Sequence, residues 1–470
     1  MAYTAFITRI KNVRPHPNAD RLQMGECFGN TVIVSMDYTD NQLGIYFPSD
    51  GQLSIAFAEA NNLLRKKDEN GNNIGGYMDP DKRNVTAIKL RGEKSDGLFL
   101  PLSSLESFGD ITTLNEGDRI DNFNGHEICC KYVPRRNHRQ GHVSEGNRTR
   151  KKKVDVAPLF VEHADTEQLA YNLAAFKPGD EIEITLKMHG TSQRTAYLPV
   201  FKGYKRTLWD KIRKHEGTPI YDWGYVSGTR RTVLENYDGG YYGSNEFREQ
   251  HSKFFEGKLW KGEEIFYEVV GFTHTGAPIM ATADNKKLND KEFIKQYGKE
   301  TVFSYGCYAT GRKVEPIIDE KWGHGISVED APQSDIYVYR MTMTNEDGDV
   351  VEYAPDFMRY RCEQMGVKTV PVMWKGIIPK EEIFTGVSCE FTDPGDFIKD
   401  KAEEFYDGPD PIGKTHVREG VVVRILNRPK FCAYKHKNWS FKALEGIVKV
   451  EAEAPDMEEA DDINEEVIAE

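Results

Sequence analysis

At 470 residues the chain is too long for one compact core, so two or three domains with room for a buried site are expected. Its 39% hydrophobic and 29% charged residues include no apolar run near the ~18 a membrane span needs, and MAYTAFITRIKNVRP lacks a secretory leader's apolar core, which suggests a cytoplasmic protein. Seven scattered cysteines without a CxxC pair favour neither a disulfide framework nor a structural zinc site, and the net charge of -13 is unevenly distributed.

Residues 1–133 read as strand-rich, with TAFITRI, NTVIVSM, LGIYFP and TAIKLRG separated by turn signals such as HPNAD and SDG. This pattern fits a small β-barrel, interrupted by one helical insertion near LSIAFAEANNLLRKK. Residues 134–153 form a basic linker, PRRNHRQGHVSEGNRTRKKK. It reads either as a solvated connection or as a phosphate grip through Arg135, Arg136, Arg139, Lys151, Lys152 and Lys153. From 154 to 450 the pattern is that of an α+β body. HADTEQLAYNLAAF has helical spacing with Asp165 or Thr166 as its cap, and KPGD leads into the strand EIEITLK. Further strands are expected at GYVSG, EIFYEVVGF, DIYVYRMTM, REGVVVRI and FCAYKHK. Residues 451–470 form an acidic tail expected to be disordered.

Several residues in the α+β body carry chemical promise. Lys187 stands where the strand ITLK enters a His-Gly turn; an isolated lysine there is usually a solvated surface group, but in a cleft its pKa can fall until the amine is a nucleophile. In REGVVVRI, period-2 geometry places Glu419 on one face with Val421 and Val423, where a carboxylate suits a hard divalent cation. Lys435 and Lys437 share a strand face and repel unless an anion such as a triphosphate lies between them. Arg230 and Arg231 follow a glycine turn and can grip phosphate. Glu268 lies among apolar residues, and Tyr337 and Tyr339 share a strand face, either as core or as a ligand platform.

The ordered series KMHG, SGTR, FYEVVG, YVYRM, EGVVVR and YKHK resembles the motifs of the covalent nucleotidyltransferase superfamily, which holds polynucleotide ligases and mRNA capping enzymes. The resemblance spans most of residues 160–445. It implies an α+β, ATP-grasp-like ligase domain of antiparallel sheets and helices, with Lys187 as the lysine that becomes adenylylated by ATP. By the same resemblance Arg230 contacts the phosphate and sugar side of the nucleotide, Glu268 the ribose, and Tyr339 stacks on the purine. Gly190 lets the HGTS turn bend around phosphate and ribose, Glu419 helps hold Mg²⁺ or Mn²⁺, and Lys435 and Lys437 bind the α-phosphate and orient pyrophosphate.

KxHG followed by Thr-Ser is closer to the KxHGTN of nick-sealing RNA ligases than to the KxDG of DNA ligases and capping enzymes. Those enzymes carry an OB barrel after the last lysine motif, whereas only the acidic tail follows here. VRPHPNADRL with KLRGEKSDGL instead looks like the N-terminal OB module of the fifth RNA ligase family, and HPNADRL also resembles tRNA-binding OB modules. The sequence departs from the family at Leu186, where several RNA ligases place a glutamate that reads adenine, and at Ser192, where many have asparagine. The expected function is an ATP-dependent, monomeric RNA ligase that joins 3′-hydroxyl and 5′-phosphate ends of RNA at nicks in duplexes. The alternatives are a capping guanylyltransferase and a non-catalytic RNA-binding protein.

Overall fold

The computed structural model describes residues 3–66, 75–132, 155–161, 163, 166–213, 215, 217–230, 233–234, 237, 246–271, 273, 279–280, 283–299, 334–380, 393–412 and 417–451. The basic linker with Arg135, Arg136, Arg139, Lys151, Lys152 and Lys153, the tail beyond residue 451, and Arg231 lie outside them. The chain divides into two units. One comprises Met1–Arg136, Thr282–Lys299 and Asn438–Pro455; the other contains Asn137–Ala281 and Glu300–Lys437.

The expected N-terminal strands are present. Ala5–Arg9, Leu43–Phe47, Leu98–Pro101 and Arg119–Ile120 make one antiparallel sheet, and Lys11–Pro15, Leu22–Cys27 and Asn30–Ser35 make a three-stranded meander. Inward side chains of the first of these sheets, among them Ile7, Ile45 and Phe47, build one core with Phe57 and Ile128. Among the described residues these sheets form no closed barrel. The helical insertion is short, Ile55–Ala60, started by the Ser54 side chain accepting from the Phe57 N–H. It stops at Asn61, and Asn62 then turns left-handed at φ 51°. The helix Trp439–Glu451 belongs to this unit, where Ala443 and Leu444 pack on Ala87 and Leu288 and Lys442 pairs with Asp96 at 2.6 Å.

The second unit is mixed α+β and carries two largely antiparallel sheets. Ala433–Lys437, Gly420–Ile425, Glu181–Leu186 and Val372–Ile377 lie side by side in that order. Ile182, Ile184, Val421 and Val423 pack under the helix Pro394–Tyr406 through Ile398 and Ala402. The other sheet runs Thr218–Gly228, Thr191–Lys205, Glu263–Gly271, Ser334–Thr344 and Val350–Glu352. Glu263–Gly271 is buried along its whole length, as a central strand covered on both faces must be.

HADTEQLAYNLAAF does not form the expected α-helix. Glu167–Gln168 pairs in parallel with Tyr434 and Lys435, and two 3₁₀ turns follow. The Asn172 side chain donates to the Gln168 carbonyl at 2.7 Å, a local bond that competes with helix continuation.

Candidate active site

Strand register brings the chemistry together. Leu186 pairs with Val421, so the next residue, Lys187, falls opposite Gly420, and its N–H donates to the Gly420 carbonyl at 3.0 Å. Gly420 in turn pairs with Lys437 on the third strand. Three adjacent strand ends thus deliver Lys187, Glu419 and Lys437 to one point. The register requires glycine: Gly420 has φ +152°, and a Cβ would meet the His436 carbonyl oxygen at 2.1 Å.

Lys187 Nζ lies 2.8 Å and Lys437 Nζ 3.2 Å from Glu419 Oε1, while His189 Nδ1 is 3.4 Å from Oε2. The Glu419 side chain is 4% exposed. Burial pushes its carboxyl up, but Lys187, Lys437 and His189 outweigh that and hold it well below the usual carboxylate range.

Lys187 also lines a cavity of about 110 Å³ together with Arg230, Glu268, Tyr339 and Lys435. Lys435, two residues before Lys437 on the same strand face, lines it as well. Tyr339 reaches it through a β-bulge. Arg340 pairs with Phe266 and Val338 with Tyr267, which leaves Tyr339 as the extra residue, and a bulge re-aims its side chain. The phenol is fixed by Ser192, whose hydroxyl is 2.9 Å away, and its pKa is pushed up by burial and by Glu268. Tyr337 does not line the cavity; it packs with Leu186, Met188 and Val370, a cluster that Tyr339 also touches.

Gly190 does not line the cavity but lets the lysine loop press against the strand carrying Glu268. A Cβ there would lie 2.3 Å from the Val269 carbonyl oxygen and 2.9 Å from Glu268 Cγ. Gly190→Ala is therefore expected to cost roughly 1–3 kcal/mol by overpacking, read as a lower midpoint in thermal unfolding.

His163 was missed because it lay in a stretch with helical spacing. It lines the same cavity, its N–H donates to the Arg230 carbonyl at 3.0 Å, and its Nδ1 accepts from Arg340 Nη1 at 2.9 Å. Its ring lies 4.8 Å from that of Phe266 and 6.0 Å from that of Tyr339. Burial, then Arg340, Arg230 and Arg194, keep the imidazole neutral, its pKa well below the usual value. The unfolded chain takes up the proton first on acidification, so this group's contribution is whole at neutral pH and erodes below about pH 6.5. Melting curves from pH 7.5 to 4.5 should show that loss, and His163→Phe should flatten it.

Arg194, also overlooked, is buried and ties down the segments flanking this histidine and arginine. Its Nε donates to the Thr229 carbonyl at 2.9 Å, and its Nη1 donates to Glu264 at 2.8 Å and to the Val161 carbonyl. An arginine deep in a strand had no local signature of that role.

Among the described residues no group of three or more His, Cys, Asp or Glu side chains is arranged to hold a metal ion. The donor chemistry fits a different kind of site. Mg²⁺-type ions are commonly held by one or two carboxylates with waters and substrate phosphates, and Glu419 provides one buried anionic carboxylate beside the lysines.

No family model matches the sequence, and no curated protein matches it. Solved structures do. A mutant of Naegleria gruberi RNA ligase with ATP and Mn is 15% identical at a TM-score of 0.51, over 94% of this chain and 98% of that chain. The same ligase with PPi is 14% identical at a TM-score of 0.50, over 96% and 99%, and another mutant with AMP and Mn is 14% identical at 0.51, over 93% and 97%. The likeness runs through nearly the whole of both chains, and by it this chain shares the fold of that RNA ligase.

Proposed function

We propose that this protein is an ATP-dependent RNA ligase that joins a 3′-hydroxyl to a 5′-phosphate at breaks in duplexes, through a lysyl-AMP intermediate. The observation that carries the proposal is that Lys187, which meets Glu419 and Lys437, lines a cavity together with Arg230, Glu268, Tyr339 and Lys435. The neighbours' complexes with ATP, AMP and PPi support the choice of nucleotide.

In the first step Lys187 Nζ gives up a proton and attacks the α-phosphorus of ATP. The N–P bond forms as the bond from that phosphorus to the bridging oxygen breaks, and pyrophosphate leaves with the electron pair. Lys435 and Lys437 neutralise charge that develops on the phosphates, and Arg230 holds the phosphate and sugar side. Tyr339 lies against the purine, and Glu268 accepts from a ribose hydroxyl. Mg²⁺ or Mn²⁺, when bound by Glu419 and the nucleotide's phosphates, supplies further positive charge there.

In the second step an oxygen of the RNA 5′-phosphate attacks the same phosphorus. The N–P bond breaks, and the lysine amine leaves and regains a proton. In the third, the 3′-hydroxyl oxygen attacks the activated 5′-phosphorus, losing its proton, and AMP departs. Binding is proposed to rest on the N-terminal unit, as an OB-type module, and on the basic stretch 134–153, both gripping phosphates and sugars rather than bases.

The test is incubation with α-labelled ATP or GTP and Mn²⁺. Covalent label from ATP is expected. Label from GTP alone would mark a capping guanylyltransferase, and label from neither would remove the enzymatic reading. Sealing of nicked duplexes with a ribose or deoxyribose 3′-hydroxyl then reads the strand preference.

A further inference from the structure

Lys187 and its neighbours leave a second feature of this unit unexplained. Thr191–Lys205 and Thr218–Gly228 form a long hairpin, paired from Arg194 and Gly228 out to Lys205 and Thr218. Both strands are rooted at the cavity, one beginning beside Ser192 and the other ending two residues before Arg230. From Ser192 to Lys205 the strand spans up to about 40 Å at ~3.3 Å per residue. The tip is therefore remote from the reacting lysine.

At that tip sits a six-residue helix, Leu208–Arg213. It is deliberately started: the Thr207 N–H donates to Asp210 at 2.8 Å, and the Asp210 N–H donates to the Thr207 hydroxyl at 3.2 Å. Yet Leu208, Trp209 and Ile212 are 78%, 68% and 68% exposed. Single exposed apolar residues are ordinary, whereas three within one turn mark a contact surface.

The surroundings select the partner. Lys202, Lys205, Arg206 and Arg213 are exposed around the three apolar side chains. Among the described residues of the tip, from Lys202 to Thr218, Asp210 is the sole carboxylate, and it is engaged by Thr207. This basic, aromatic tip projects from a chain of net charge -13. A protein-binding core is depleted of charge. Cations around an exposed indole instead match a polyanion with flat bases, in which arginine and lysine take phosphates and the ring stacks.

We propose that the hairpin tip is a second RNA contact, with Trp209 stacking on a base and Lys205, Arg206 and Arg213 on phosphates, engaging the substrate well away from the joint. The identity of the polyanion as RNA rests on the ligase reading above. Because the contact is distant, it engages long duplexes and leaves short ones unaffected.

Two variants of the full chain test this: Trp209→Ala, and Lys205→Glu, Arg206→Glu and Arg213→Glu combined. Both are expected to form lysyl-AMP at the wild-type rate, which also certifies their folding. With nicked RNA duplexes of about thirty base pairs, measured by fluorescence anisotropy across a salt series, Trp209→Ala should bind about tenfold more weakly. The triple variant should lower the slope of log affinity against log salt by about 2–3. Duplexes reaching fewer than about ten base pairs from the nick should bind all three proteins alike. Unchanged affinity and slope on the long duplex would overturn the proposal. So would unchanged RNA binding together with loss of wild-type self-association, which would assign the tip to a protein contact. If the wild type takes no label while the tip variants still weaken RNA binding, the surface stands and the ligase reading falls.

Discussion

Lys187→Ala should take up no covalent nucleotide, and its sealing of 5′-phosphorylated RNA should fall by ~10⁴-fold or more, as expected when a nucleophile that no neighbour can replace is removed. The variant should nevertheless seal RNA that already carries AMP on its 5′-phosphate. In that last step the bond to lysine has been made and broken, and what remains is attack by the 3′-hydroxyl. Lys187→Arg separates charge from nucleophilicity. A guanidinium keeps a cation beside Glu419, which lies 2.8 Å from the native ammonium, but it does not deprotonate to give a nucleophile. It should fold like the wild type and remain unlabelled. Normal labelling of Lys187→Ala would move the nucleophile elsewhere, with Lys435 at the same cavity the first residue to test.

The strands that carry this chemistry were legible because their signals are local. EIEITL and GVVVRI are β-branched runs too short for helices, and both are central strands of their sheet. The convergence of Lys187, Glu419 and Lys437 depends on register, which no single strand encodes; the ordered motifs carried that information instead. Tyr339 illustrates the limit. Period-2 spacing grouped it with Tyr337, but at the bulge Tyr339 lines the cavity while Tyr337 does not.

The misread elements share a cause in tertiary pairing. Helical spacing in HADTEQLAYNLAAF gave way to the pairing of Glu167–Gln168 with the strand bearing Lys435, and His163 came to the cavity with that segment. The joining of Asn438–Pro455 and Thr282–Lys299 to the N-terminal residues depends on packing between Ala87, Leu288 and Leu444, residues hundreds of positions apart in part. Leu186 takes on a clearer meaning. Its side chain packs against Met188, Val270 and Val370, while Glu183 and Thr185 are polar residues that line the same cavity. Leu186 lines that cavity too, an apolar residue beside those two polar ones.

Glu419→Gln should be the most damaging substitution that leaves shape almost unchanged. The native carboxylate is buried and faces two ammonium groups, at 2.8 and 3.2 Å, with His189 on its other oxygen. Glutamine keeps the volume and one acceptor oxygen but removes the charge, so Lys187 and Lys437, 12% and 13% exposed, are left to repel one another. Removing one partner from a buried ion pair costs ~3–5 kcal/mol, and partial access to water places the expected loss near the lower figure, about 3 kcal/mol. For a unit of this size that is a fall of roughly 6–10 °C in melting temperature. Lysyl-AMP formation should drop by about 10²–10³-fold, because the lysine is no longer oriented and the carboxylate that would help hold the divalent cation is gone. Adding Lys437→Met separates the two effects. With one ammonium fewer, the double variant should regain part of the lost stability while labelling stays low or falls further. A Glu419→Gln protein that melts and labels like the wild type would show that the three-residue cluster is neither the anchor of this fold nor the seat of its chemistry.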